Sequence, residues 1–97
     1  MRVIDYLPYV LAALKKEGPS NQGDLTVMVW GTSGRNSPKL TKSLFPMMVD
    51  SGLIAQTKKG RQITFRITQK GLEAYALAPL DPKDEEWFFQ NIEDNRW

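Results

Sequence analysis

The sequence predicts an α+β domain in which three helices precede a β-hairpin and at least one helix follows it. Three observations carry this prediction. Apolar residues recur at the spacing of one helical face from Val3 to Leu14. Ser37 and Pro38 form a helix start, because serine caps and proline suits the first helical position. Apolar and polar residues alternate over residues 63–67, which is typical of a strand with one buried face.

Composition sets the size of the domain and limits its chemistry. The chain has 97 residues, of which 41% are hydrophobic and 25% charged, as in an ordinary single globular domain. It has no cysteine and no histidine, which excludes disulfides, thiol nucleophiles, histidine acid–base chemistry and the common zinc sites. The acids Asp24, Asp50 and Glu73 are isolated from one another in the sequence. We therefore expect a protein that is not an enzyme and needs no cofactor or metal.

No apolar stretch approaches the roughly 20 residues that span a bilayer, and the N-terminus has no signal-peptide pattern. We expect a soluble, intracellular protein, placed in the cytoplasm and without a membrane partner. Charge is distributed unevenly. Residues 1–71 contain eleven Lys or Arg against four acids, a net +7, and residues 72–97 contain two against seven, a net −5. A surface for a polyanion is expected in the first part.

The first helix is predicted to begin near Asp5 as N-cap, with Pro8 in its first turn, and to end at Gly18 and Pro19. Its core face comprises Val3, Ile4, Leu7, Val10, Leu11 and Leu14. Residues 21–30 fit either a strand or a helix, because both periods match their apolar residues. We favour a helix, with Ser20 as cap and Gly31 as stop. Residues 31–36 form a turn.

The next helix is predicted over residues 37–51. Its inward stripe comprises Leu40, Leu44, Met47 and Met48, and its outward or flanking residues are Lys39, Thr41, Lys42, Ser43 and Pro46. Pro46 should bend this helix, because it lacks a backbone N–H. Gly52 at C′ followed by Leu53 predicts a Schellman ending.

A basic β-hairpin is predicted over residues 54–68. Residues 54–57 form its first strand, and the alternating residues 63–67 form its second. The turn consists of Lys58, Lys59, Gly60 and Arg61, which crowds three cations at one tip. An anionic partner would relieve their repulsion, although charged hairpins also occur simply as protection against edge pairing.

This order of elements resembles the winged helix-turn-helix superfamily of transcriptional regulators over about residues 3–77. The resemblance is carried by the order helix, turn, helix and basic hairpin and by two strings, Ser51-Gly52-Leu53-Ile54 and Ile67-Thr68-Gln69-Lys70-Gly71-Leu72. Residues 26–31 and the helix after them are similar to the small archaeal ten-kilodalton DNA-binding proteins of Sulfolobus type. In that group a long C-terminal helix forms a coiled coil between subunits, and here Pro79 and Pro82 interrupt any such helix.

The resemblance implies a protein that binds double-stranded DNA. Helix 37–51 would enter the major groove, and the hairpin, as the wing, would contact the backbone or the minor groove. The DNA-contacting residues implied are Arg35, Lys39, Thr41, Lys42, Ser43, Lys58, Lys59, Arg61 and Arg66. A regulator that reads a two-fold site is expected to be a homodimer.

Residues 78–97 form a separate acidic and aromatic segment after the domain of residues 1–77. Pro82, followed by acids, predicts a helix start. The apolar residues of this helix are Trp87, Phe88, Phe89 and Ile92, which are expected to form the dimer interface or to pack on the same chain or on another protein. The leading prediction is a DNA-binding transcriptional regulator. Its alternative is a protein-interaction adaptor or inhibitor that acts through this tail.

Overall fold

The structure, a computed structural model, describes residues 2–30 and 39–95, with side chains up to residue 92. In these ranges it contains five α-helices and one three-stranded antiparallel sheet, so the fold class is α+β as predicted. The predicted turn at residues 31–36 and the helix start at Ser37 and Pro38 lie outside the described residues.

The first helix, α1, spans Leu7–Glu17 and follows a 3₁₀ turn over Val3–Tyr6. The predicted N-cap role of Asp5 is wrong. Asp5 lies inside the 3₁₀ turn, where its carboxylate accepts a hydrogen bond from the Arg2 N–H at 2.9 Å. Pro8 lies in the first turn of α1, as predicted, and the helix ends at Gly18, whose φ of 79° suits glycine.

Helix α1 is the centre of the molecule. Residues 10–14 are all buried, because α1 packs against α2, α4, α5 and the sheet rather than through one face only. The predicted core face is correct for Val10, Leu11 and Leu14, whereas Ile4 is exposed. Helix periodicity did not predict burial on all sides of α1. Ala12 and Ala13 occupy the remaining faces, and their small side chains allow close helix packing.

The second helix, α2, spans Gln22–Trp30, so the helical interpretation of this segment is confirmed. Its cap is Asn21 rather than Ser20, because the Asn21 Oδ1 accepts the Asp24 N–H at 2.7 Å. Ser20 and Asn21 instead form a short strand, β1 (Ser20–Asn21), and the Ser20 hydroxyl donates to the Gly18 carbonyl oxygen at 3.0 Å.

A π-helical segment spans Lys39–Leu44 and runs directly into α3, Phe45–Asp50. Pro46 therefore lies inside the helical run of residues 39–50, as predicted, directly after the change from π-helix to α-helix. Leu40, Leu44 and Met48 are buried as predicted. Phe45, which the predicted stripe did not include, is fully buried and its ring centroid lies 5.1 Å from that of Phe65.

The predicted Schellman ending of α3 is confirmed. Gly52 has φ 76°, its N–H donates to the Val49 carbonyl at 3.0 Å, and the Leu53 N–H donates to the Met48 carbonyl at 3.0 Å. The chain thereby reverses direction after α3, so the end of α3 determines where the hairpin begins.

The hairpin consists of β2, Ile54–Lys59, and β3, Gln62–Ile67, and β3 is the central strand of the order β1-β3-β2. Lys58 and Lys59 belong to β2, so the predicted four-residue turn is too long. The loop has only Gly60 and Arg61. The φ angle is positive, 61°, at Gly60 and negative at Arg61, which matches a type II′ turn.

Helix α4 spans Gln69–Leu77 and is capped by Thr68, whose hydroxyl accepts the Gly71 N–H at 3.1 Å. Thr68 also binds the other side of the hairpin: its N–H donates to the Leu53 carbonyl oxygen at 3.2 Å. This oxygen lies against the Cα of Gly71, so the start of α4 is packed directly on the backbone that leaves α3.

The last helix, α5, spans Pro82–Asn95 and begins at the predicted proline. The Asp81 carboxylate accepts the Lys83 N–H at 3.0 Å, which caps the helix start. Phe88 and Ile92 of α5 are buried and belong to the same core as α1. Helix α5 therefore packs on the core of residues 1–77, which is one of the packing alternatives that the sequence left open.

Tyr75 joins α4 to α5. It is buried, and its hydroxyl donates a hydrogen bond to the Glu85 carboxylate, while the Lys15 Nζ lies 5.4 Å from the ring centroid. Burial, followed by the hydrogen bond to Glu85, raises the pKa of Tyr75 from 10.0 to about 12.

This raised pKa predicts a loss of stability in alkali. Below pH 10 the tyrosine is protonated in both states, and between pH 10 and about 12 the unfolded chain releases the proton first, so the folded state loses stability as pH rises through this window. We expect Tyr75→Phe to flatten this fall, measured as urea midpoints across the window. Equal slopes for Tyr75→Phe and the parent chain would contradict the assignment.

Candidate nucleic-acid interface

The register of the hairpin distributes its cations over two faces. Directly opposed residues of an antiparallel pair share a face. Lys59 is opposite Gln62 and Arg66 is opposite Ala55, and both cations lie on the outer face. Lys58 is opposite Ile63 and lies on the other face, which nearer the base of the hairpin carries the buried Phe65. The three cations at the tip are thus not one cluster on one side.

The outer face has the properties of a polyanion-binding surface. Lys59 and Arg66 are four steps apart along the ladder, or about 13 Å at the usual rise of a strand. Arg61 lies between the strands in the turn, and Thr57 and Thr64 form an opposed pair on the same outer face. Among the side chains of residues 2–30 and 39–92, none of the carboxylates pairs with the four hairpin cations, and all four cations are exposed. Their charge is therefore available to a partner.

The π-helical segment presents a second basic surface. Lys39, Lys42 and Ser43 are exposed, while Leu40 and Leu44 anchor the segment in the core. Thr41 is half-buried and already has an interaction partner, so it is the least available of the predicted contact residues. Arg35, the remaining one, lies outside the described residues.

The two surfaces are held by one scaffold. The Lys39–Leu44 segment packs against α2 and the Val3–Tyr6 turn and continues into α3, and α3 packs against β2. Both surfaces are therefore attached to α3, one through the helix backbone and one through the hairpin. Lys39, Lys42 and Ser43 thus lie on the π-helical segment, and the four hairpin cations lie on β2, β3 and the turn between them.

Three polar residues near these surfaces were missed by sequence reasoning. Asn21 and Gln22, at the start of α2, line a polar cavity of about 280 Å³ together with Arg61 at the hairpin tip. Only the pairing of β1 with β3, which is not local in sequence, brings them there. The side chain of Lys70 lies beside Gly52 at the end of α3. Lys70 belongs to the segment of residues 67–72, which carried the family resemblance in the sequence but was not predicted to contact DNA.

The predicted dimer residues have different environments. Phe88 and Ile92 are buried within the chain, which is the same-chain packing that the sequence left open. Phe89 is half-buried, with the Lys16 Nζ 5.0 Å from its ring centroid, and Trp87 is 62% exposed. The homodimer stays a prediction, and in this helix its interface is reduced to Trp87 and the exposed part of Phe89.

Two further properties concern the described residues only. Among them, no group of three or more acids could hold a metal ion. None of the helices in residues 2–30 and 39–95 combines the length and the apolar character that a membrane crossing requires. Comparison with known protein families, with curated proteins and with solved structures found no match.

Proposed function

We propose that this chain is a DNA-binding transcriptional regulator of the winged helix-turn-helix class. The helical run of residues 39–50 enters the major groove, and the hairpin of residues 54–68 contacts the backbone or the minor groove as a wing. The observation that carries the proposal is the set of exposed hairpin cations, Lys58, Lys59, Arg61 and Arg66, which pair with none of the carboxylates that the structure describes. Four such charges on fifteen residues are suited to phosphates, which dominate affinity for DNA.

The fold supports the same proposal. The elements follow one another in the order of this class: two helices, then a helical segment, then a hairpin. The helical segment presents Lys39, Lys42 and Ser43 outward, and the second strand of the hairpin pairs with the short strand before α2. Lysine and hydroxyl side chains on a surface helix suit both phosphate oxygens and base edges. Asn21 and Gln22 beside the hairpin tip add two more hydrogen-bonding side chains to this interface.

The proposal predicts that neutralising the hairpin tip weakens DNA binding. We expect Lys58→Ala, Lys59→Ala and Arg61→Ala, combined, to lower the affinity for all duplex sequences by at least tenfold. The slope of log affinity against log salt should decrease in magnitude by about 2–3, since each phosphate contact contributes about 0.9. Fluorescence anisotropy of labelled duplexes across a salt series measures both quantities.

Matched variants make this test specific. Lys83→Ala removes one exposed cation from α5, and it should change neither affinity nor slope. Of the single hairpin variants, Lys59→Ala should weaken binding more than Lys58→Ala, because Lys59 shares the outer face with Arg66. Absence of binding to any duplex at low salt would overturn the proposal.

The alternative function, a protein-interaction adaptor or inhibitor, is favoured by one observation. Trp87 exposes 62% of its surface on a helix whose neighbouring aromatic residue, Phe88, is buried. Large exposed aromatic side chains are typical of binding surfaces. The two functions differ in their sensitivity to the hairpin variants, which should weaken duplex binding in a regulator and leave the binding of a protein partner unchanged in an adaptor.

A further inference from the structure

An aromatic hollow lies between the start of α1, the end of α2 and α5, and none of the residues named as its lining belongs to the proposed DNA interface. Its volume is about 380 Å³, within the range of small-molecule sites. It is lined by Tyr6, Tyr9, Val29, Trp30, Trp87 and Phe88. Five of these six residues are aromatic, and none is charged.

The rings are fixed by contacts with one another. Tyr6 stacks on Trp30 with centroids 4.8 Å apart and planes inclined by 19°. Tyr9 meets Phe88 edge to face at 5.0 Å and 81°, and Tyr6 and Tyr9 are 6.4 Å apart and join the two pairs. Trp87 borders the same hollow and is the most exposed of the five. Four rings thus form a pre-organised wall, and the fifth stands at the opening.

Two electrostatic features favour a cation in this hollow. The faces of aromatic rings are negative and attract ammonium groups. In α5, Asp84 lies three residues before Trp87 and four before Phe88, which places it on the same helix side. The positive charge of Lys83 balances only one of the three negative charges at residues 84–86.

The lining also determines the kind of cation. The six described lining residues offer no carboxylate and few oxygen atoms, which are the ligands that Ca²⁺ and Mg²⁺ require. An organic ammonium group that is poorly hydrated suits apolar ring faces better. We infer that this hollow is a binding site for a methylated ammonium cation, either a free quaternary ammonium compound such as choline or the side chain of a trimethylated lysine. The inference does not depend on DNA binding.

Nuclear magnetic resonance of the tryptophan indole N–H signals, at constant ionic strength, tests the site. We expect choline to shift the signals of Trp30 and Trp87 in a saturable manner. The uncharged carbon analogue of choline has the same shape, and it should bind about tenfold more weakly, since a cation–π contact is worth about 0.5–2 kcal/mol. Equal affinities for choline and this analogue, or shifts that do not saturate for either cation probe, would overturn the inference.

Variants and a second probe complete the test. Trp87→Ala should weaken choline binding about tenfold as read from the Trp30 signal, and Asp84→Asn about twofold to threefold. Leu77→Ala, at an apolar residue 88% exposed and outside the hollow, is the matched control and should have no effect. A peptide with trimethyl-lysine, compared with its unmodified form, separates the two sources of the cation; preference for either methylated probe supports the inference.

A second copy of the chain is the competing occupant. Sedimentation equilibrium with and without choline examines this possibility. A dimer that Trp87→Ala abolishes, and that shows no choline shift at any protein concentration, would assign the hollow to the dimer interface and overturn the inference.

Discussion

Replacing Phe88 by alanine is expected to destabilise the protein by about 3–5 kcal/mol, a large part of the roughly 5–15 kcal/mol that holds a domain of this size together. Phe88 is 3% exposed, and its ring meets Tyr9 of α1 edge to face. Truncation leaves a cavity at the contact of α5 with α1, where neighbouring side chains are already packed. Urea unfolding followed by circular dichroism measures the change.

The neighbouring residue provides the control. Trp87→Ala removes a larger side chain from the same helix, but the ring is 62% exposed, so we expect a change within about 0.5 kcal/mol. Ile92→Ala, one turn further and fully buried, should cost about 2–5 kcal/mol. A loss below about 1 kcal/mol for both buried residues would mean that α5 does not contribute to the core.

Replacing Gly71 by alanine should destabilise the protein by about 3 kcal/mol, at the upper end of the range for overpacking. A Cβ at this position would overlap the Leu53 carbonyl oxygen and lie 2.8 Å from the Ile67 Cγ1. The oxygen belongs to the backbone and is held in place by the Thr68 N–H at 3.2 Å, so it cannot move aside as a flexible side chain would. Denaturant midpoints give the size of the effect.

The sign of this effect is diagnostic. Alanine is favoured over glycine inside a helix by up to about 1 kcal/mol, so propensity alone predicts stabilisation at Gly71. Gly23→Ala in α2 is the matched control: there a Cβ would meet only the Asn21 Oδ1, at an ordinary 3.5 Å, and we expect a neutral or slightly stabilising result. Stabilisation at both glycines would contradict the close approach of α4 to Leu53.

Features that depend on nearby residues could be predicted from the sequence. The Gly52 ending of α3, the start of α5 at Pro82 and the alternating strand of residues 63–67 each follow from local backbone chemistry. The strand β1 could not be predicted, because two residues carry no periodicity and acquire their pairing only from β3. For the same reason the position of Asn21 beside Arg61 had no signal in the sequence.

Burial was predicted less well wherever the packing partners were not local. Phe45 lies three residues before Met48 and so on the same face of α3, but the predicted stripe was narrower than the face that the core covers and omitted it. In α5 the sequence marked four apolar residues without showing which of them face α1. The core contact of Phe88 and the exposure of Trp87 follow from how α5 docks, and this depends on residues more than seventy positions away.

The central position of α1 has a consequence for biosynthesis. This helix is synthesised before α5, yet its buried surface is completed by Phe88 and Ile92 of α5. At about 5–20 residues per second, a nascent chain carries this apolar surface uncovered for several seconds. Helix α1 thus depends on a helix that is made later, and until α5 has been synthesised the incomplete chain is a substrate for chaperones.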